Sequence, residues 1–147
     1  MRSVVPSWVG SETLDALNAL IDIAGSAPAA VARRAGLSTS ELHALRHLST
    51  APMGPADIAR LLGVTTAAAS GVVDRLTEHG HAERHPHPDD GRRTQVHITE
   101  SGRAEVLQHL APMFTELARL DAALTEQERQ TVLDYLTGAI RAIRNVT

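Results

Sequence analysis

The residues of this chain that have chemistry to offer fall into a few groups. The first is the stretch from Thr65 to Gly80, Thr-Thr-Ala-Ala-Ala-Ser-Gly-Val-Val-Asp-Arg-Leu-Thr-Glu-His-Gly. Thr65 suits a helix N-cap because its hydroxyl can accept one of the early unpaired N–H groups, and Gly80 suits the left-handed position past the helix end. On a 3.6-residue period Ala69, Val72, Val73 and Leu76 share one side, and Thr66, Ala67, Ser70, Gly71 and Asp74 share the other. With Ala68 beside it, that second face carries no long side chain before Arg75. A helix with so small a face can bring its backbone close to a partner, and the major groove of B-DNA is wide enough to admit one.

The second group is the turn His87-Pro88-Asp89-Asp90-Gly91-Arg92, followed by Arg93. At the tip of a ribbon Arg92 and Arg93 could enter a minor groove, where negative potential concentrates, with Asp90 as the partner that holds Arg92 in place. On spacing alone an exposed turn with solvated charges is the better reading of the same residues. Histidines make the third group. Of the eight in the chain, His79, His81, His85 and His87 are close in sequence and lie near Asp89 and Asp90. Three such ligands could hold zinc. Pro86 and Pro88 interrupt regular strand pairing, however, and no acid lies at a rigid helical offset, so the reading preferred is solvated, phosphate-facing histidines and no metal. His43, Arg46 and His47 form a separate cationic set on a helix surface. With Trp8, Met113 and Phe114 as apolar walls they could receive an aromatic carboxylate, although a plain helix surface beside core residues explains them as well.

No nucleophile elbow, phosphate loop, metalloprotease helix or carboxylate pair of defined geometry occurs, so no enzyme and no cofactor is expected. The 147 residues suit one domain or one compact subunit with an appended interface. Apolar residues make up 43% but aromatics only 2%, so the core must be aliphatic, which favours helices. Cysteine is absent, which excludes disulfides and thiolate metal sites among these residues. Neither a signal peptide nor a bilayer-spanning segment is read from the apolar runs, and a cytoplasmic protein is expected. Net charge is −3, with no lysine. Residues 60–103 balance six arginines against six acids, so the acidity lies outside the central third. That permits a nucleic-acid partner without requiring one.

The elements that must position these groups are mostly helical. Leu14, Leu17, Ile21 and Ala24, widened by Leu20 and Ile23, predict a first helix, kinked or interrupted at Pro28, resuming and ending at Gly36. It serves either the core or a subunit interface, with the interface preferred. Ser38 and Glu41 match a capping box, and Leu37 with Leu42 a hydrophobic staple, opening a helix to about Leu48 with Leu42, Leu45 and Leu48 inward. A helix from Pro55 to Leu62 follows, burying Ile58, Leu61 and Leu62. Through Gly63-Val64-Thr65 it makes a helix-turn-helix with Thr65–His79 in the recognition position. Residues 82–86 and 93–98 alternate as two strands, with Val96 and Ile98 inward and a third short strand near Met53. Thr99 caps a helix from Glu100 to about Leu120, bent at Pro112. After a connector, Thr125 and Glu128 open a last helix carrying Val132, Leu133, Leu136, Ile140 and Ile143. The expected class is mainly α (α+β). It divides into residues 1–36 for dimerisation, 37–99 as a winged helix-turn-helix (wing 82–98), and 100–147 as a linking helix and a second dimerisation helix.

This order resembles the MarR family (multiple antibiotic resistance regulators), and so do the residues. Asp-Ile-Ala-Arg-Leu-Leu-Gly-Val-Thr at 57–65 resembles the family's helix and turn. Ser70 with Val-Asp-Arg-Leu at 73–76 resembles its recognition helix. Asp90-Gly-Arg92, followed by Ile98-Thr99 and Gly102, resembles its wing signature. The resemblance covers about 11–145 and implies a homodimer whose first and last helices interlock over a pseudo-palindromic double-stranded DNA operator. It also implies a repressor released by a small aromatic or phenolic effector. The residues implied at DNA are Thr65, Thr66, Ala67, Ala68, Ser70, Gly71, Arg75, Asp90, Arg92 and Arg93. Those implied at the effector are Trp8, His43, Arg46, His47, Met113 and Phe114. Gly71 departs from the arginine many relatives carry there, leaving readout to Thr66, Ser70, Arg75 and thymine-methyl contacts from Ala67. Gly71 lowers helix propensity by about 1 kcal/mol relative to Ala; a close approach would compensate, and drift at a solvated position is the alternative. Two rival functions remain at this point: a winged-helix protein-interaction module that never touches DNA, and a metal-responsive regulator.

Overall fold

A computed structural model describes residues 9–147; Trp8, expected at an effector pocket, lies outside the described residues. Helix α1 spans Glu12–Ala35, with Ser11 Oγ accepting the Leu14 N–H at 3.1 Å. It continues through Pro28 as one helix rather than breaking there. The proline removes a single ladder bond, and the alanines around it (Ala24, Ala27, Ala29, Ala30) favour helix on both sides. Gly36 ends it at φ 68°, the left-handed conformation that glycine takes without a Cβ clash.

Helix α2 (Thr39–Leu48), α3 (Pro55–Leu62) and α4 (Thr66–Glu78) surround an aliphatic core. Leu42, Leu45 and Leu48 enter it from α2, Ile58 and Ala59 from α3, and Ala69, Val72, Val73 and Leu76 from α4. Leu61 and Leu62, expected inward, are only half-buried, and Ala59 takes the inner position instead. Strands β1 (Ala82–Pro86) and β2 (Thr94–Ile98) pair antiparallel from Ala82↔Ile98 to Pro86↔Thr94. The expected third contribution is present as a bridge, with Met53 N–H donating to Val96 O at 3.1 Å and Val96 N–H returning to Met53 O at 2.8 Å. Val96 is fully buried beneath the ribbon, and Ile98 is half-buried.

Helix α5 (Glu100–His109) is seated on the ribbon by two small residues. Thr99 Oγ1 donates to Gly80 O at 2.6 Å and accepts the Gly102 N–H at 3.1 Å. A Cβ on Gly102 would lie 2.2 Å from the His81 carbonyl oxygen and 2.8 Å from Ile98 Cγ1, so glycine alone permits this approach.

The single helix expected from Glu100 to about Leu120 is two helices. Helix α5 stops at His109, Leu110 turns out at φ −116°, and α6 runs Ala111–Ala122. Pro112 lacks the N–H that would bond Gln108 and its ring crowds that carbonyl, so it begins a new helix rather than bending an old one. Helix α6 also continues through Leu120–Ala122, which the sequence suggested as connector. Helix α7 (Glu126–Arg144) opens on the full capping box expected of Thr125 and Glu128. After His109 the chain divides into two compact units, one holding α1–α5 with the ribbon and the other α6 and α7. Within the second unit Arg129 Nη1 meets Asp121 Oδ2 at 2.5 Å, tying the start of α7 to the end of α6.

Candidate nucleic-acid interface

The candidate surface is assembled on α4 and the ribbon. Gly63, at φ 66°, closes α3, and the chain turns through 104° between α3 and α4, within the range of helix-turn-helix pairs. Thr65 caps α4 as expected, its Oγ1 accepting the Ala68 N–H at 3.1 Å. Thr65, Thr66, Ala67 and Ala68 are exposed, and Ser70 and Gly71 are half-buried beside them. The small face is therefore on the outside, and the four apolar residues behind it hold the helix against the core.

Two arginines brace this face in ways the sequence reading missed. Arg84 of β1 reaches Asp74 Oδ1 at 2.6 Å and Ser70 O at 3.4 Å, so the wing's first strand is pinned to the recognition helix. No local spacing signals a partner ten residues away across a strand–helix corner. Arg75, expected to read bases, donates from Nε to Glu41 Oε1 at 3.0 Å. Ser38 Oγ accepts the Glu41 N–H at 3.1 Å, but the Glu41 carboxylate does not return to the cap and faces Arg75 instead. Only half of the predicted capping box forms. A guanidinium is the stronger donor in a buried setting, so it wins over a neutral N–H.

At the wing tip Asp90 Oδ1 accepts the Arg92 N–H at 3.1 Å, Asp90 O accepts the Arg93 N–H at 3.0 Å, and Arg93 O accepts the His87 N–H at 2.9 Å. Asp90 thus fixes the backbone of the turn. The Arg92 guanidinium is a loose 3.9 Å from it, and the Arg92 side chain is 96% exposed. Arg93 is exposed as well. The tip presents two cations on a hydrogen-bonded turn.

The histidines disperse to separate tasks. His81 is buried with Nδ1 2.8 Å from Ser101 Oγ; His85 lies 3.1 Å from Glu83 Oε2 and edge-on to His97; His87 Nδ1 accepts the Asp89 N–H. Among the described residues no three His, Asp or Glu side chains converge as a metal site. On α2 the rings of His43 and His47 stand 5.1 Å apart. Burial first, then the charges of Arg46 and His43, hold the His47 pKa below the ordinary value. Met113 and Phe114 are exposed on α6, in the second unit.

A helix pair at this angle with an arginine-tipped antiparallel ribbon behind it is a winged helix-turn-helix. A model of the MarR family matches residues 35–93. A probable transcriptional regulator from Pseudomonas aeruginosa is 30% identical, with a TM-score of 0.55 over 86% of this chain and 98% of the other. The chain belongs to the MarR family, whose members are transcription regulators and not enzymes. It is also 26% identical over 84 residues to the HTH-type transcriptional repressor YetL of Bacillus subtilis, a stretch making up 57% of this chain and 50% of that repressor. The match thus spans about half that relative's length. A MepR variant from S. aureus, solved bound to an oligodeoxyribonucleotide, is 19% identical with a TM-score of 0.60 over 91% of this chain and 99% of the other, a likeness of fold.

Proposed function

We propose that the protein is a DNA-binding repressor acting as a homodimer. The observation that carries this reading is the outward, small-residue face of α4, pinned by Arg84 to a ribbon at whose tip Arg92 is 96% exposed. In this reading Thr65, Thr66, Ala67, Ala68, Ser70, Gly71 and Arg75 enter a major groove, where hydroxyls and methyl groups meet base edges. Arg92 and Arg93 reach the neighbouring minor groove, and Asp90 holds the turn that aims them. Two-fold pairing sets the half-sites about one helical turn apart on a pseudo-palindromic operator. The repressor relative and the oligodeoxyribonucleotide on the MepR variant support it.

Uncovered apolar faces supply the argument for pairing. Leu20 and Ile23 on α1, Leu117 and Leu120 on α6, and Leu133 and Ile140 on α7 are all exposed. By length and composition alone helix α1 could also cross a bilayer, a feature the sequence did not suggest, and none of its apolar window is buried within this chain. A second copy covering these faces accounts for all three helices at once. In this reading a small aromatic acid that meets His43, Arg46 and His47 on α2 releases the DNA. The test is a titration of the protein against its own promoter fragment at several salt concentrations. Tight binding that weakens steeply with salt is expected. Salt-independent or absent binding would overturn the reading in favour of a protein-interaction module.

A further inference from the structure

The pairing of Glu41 with Arg75 joins α2 to the recognition helix and is explained by neither the cap nor the core. The Glu41 side chain is 5% exposed, and its Oε2 is buried without a hydrogen-bond partner, whereas the Arg75 side chain is 50% exposed. A carboxylate removed from water and bonded through one oxygen is a poor stabiliser by itself. Its geometry has a different consequence. Bonding through Nε fixes the plane of the guanidinium and leaves both Nη groups unclaimed by Glu41. Nη1 lies 3.7 Å from where a Cβ of Gly71 would stand, so the head folds one turn back toward the N-terminal half of α4, over the one residue there with no side chain.

We infer that Glu41 is a positioning residue for sequence reading. It locks Arg75 so that the Nη edge is presented beside Ser70 and Gly71 as a preformed donor pair for one base edge in the major groove. This rests on the DNA-reading proposed above. Gly71 then has a use: a longer side chain would contend with the folded-back guanidinium for the same surface. An unlatched Arg75 would retain its charge but lose its orientation, and orientation is what distinguishes a base edge from a phosphate.

The experiment begins with a duplex selected by the wild-type protein from random DNA. Affinity is measured for that duplex, for its single-base-pair variants and for a scrambled duplex. Arg75→Ala and Glu41→Gln are each expected to lower selected-site affinity on the order of ten-fold and to relax selectivity at the same base pair. Scrambled-duplex affinity should stay near wild type for Glu41→Gln, and the double variant should be no worse than Arg75→Ala alone. In parallel, the Arg75 Nε–H proton resonance should exchange slowly in wild type and rapidly in Glu41→Gln, a readout that needs no DNA. A Glu41→Gln variant with wild-type selectivity would overturn the inference, as would uniform loss on every duplex in Arg75→Ala. A wild-type protein that selects no duplex would instead sink the DNA-reading, and this inference with it.

Discussion

In the lobe built from α2–α5 and the ribbon, Leu45, Leu48, Ile58, Leu76, Val73 and Val96 are all sealed from solvent. In α6 and α7 no residue is buried, and Leu120 and Leu133 remain 68% and 56% exposed. Both regions are rich in leucine and isoleucine at helical spacing, so composition does not separate them. What separates them is whether the chain can cover an apolar stripe from within. Short helices, two of them meeting at 104°, and a ribbon enclose a core; two helices in sequence leave most of their apolar surface bare. Burial is worth about 25 cal/mol per Å², so bare stripes of this length favour a covering partner.

That contrast makes the two regions fail differently. The largest effect is expected inside the closed lobe. Gly102→Ala would drive a Cβ into the His81 carbonyl, 2.2 Å away. Backbone must shift to relieve it, which should cost about 3 kcal/mol at any protein concentration, read from urea unfolding. A smaller loss would mean that α5 slides on the ribbon easily. Next comes Ile140→Glu on the uncovered stripe of α7. The secondary structure should persist, while the thermal midpoint loses its dependence on protein concentration and operator affinity falls more than ten-fold. Unchanged concentration dependence would place the covering partner elsewhere.

Within the lobe, the wing and the recognition helix are braced by Arg84 on Asp74. Both side chains are substantially exposed, so Arg84→Ala should change stability by under about 1 kcal/mol. Its effect should fall on DNA affinity instead, because the wing tip loses its fixed distance from α4. Equal affinity of Arg84→Ala and wild type for the selected duplex would show that the ribbon is held by the Met53 bridge alone.

Most of the lobe was legible in the chain because its signals are local. Thr65, Gly63, Gly80 and the alternation around Val96 each announce an element within a few residues, and the structure keeps every one of them. The errors have a common cause. Pro28 and Pro112 are the same residue in apolar helical surroundings, yet α1 passes through one and the chain restarts at the other. Local propensity does not separate them: Gly25 and Ser26 precede the proline that α1 passes through, while Gln108, Leu110 and Ala111, all good helix formers, precede the one at which the chain restarts. Arg84–Asp74 and Arg75–Glu41 were invisible because they join residues that only the folded corner brings together. The small face of α4 could be read from its sequence; what braces that face could not.

The two capping sequences sharpen the comparison at its finest scale. Thr125 and Glu128 exchange both bonds in the open, with Thr125 N–H donating to Glu128 Oε1 at 2.9 Å and Glu128 N–H to Thr125 Oγ1 at 3.2 Å. The N–H it accepts at Thr125 holds the Glu128 pKa below the usual carboxylate range. His47, in the other region, is also depressed, but by burial and neighbouring cations. Each unfolded group binds its proton at a higher pH than the folded one, so each contribution to stability declines on acidification. The windows differ. The His47 loss begins as pH falls through its ordinary 6.5 and is complete below its folded value. The Glu128 contribution is intact there, and begins to fall only below its ordinary 4.5. Unfolding followed from pH 8 to pH 3 should therefore show two separate declines. His47→Gln should erase the upper one, and Glu128→Gln should flatten the lower one by a smaller amount, since that carboxylate is fully in solvent. A single decline removed by neither variant would show that neither His47 nor Glu128 governs the response to acid.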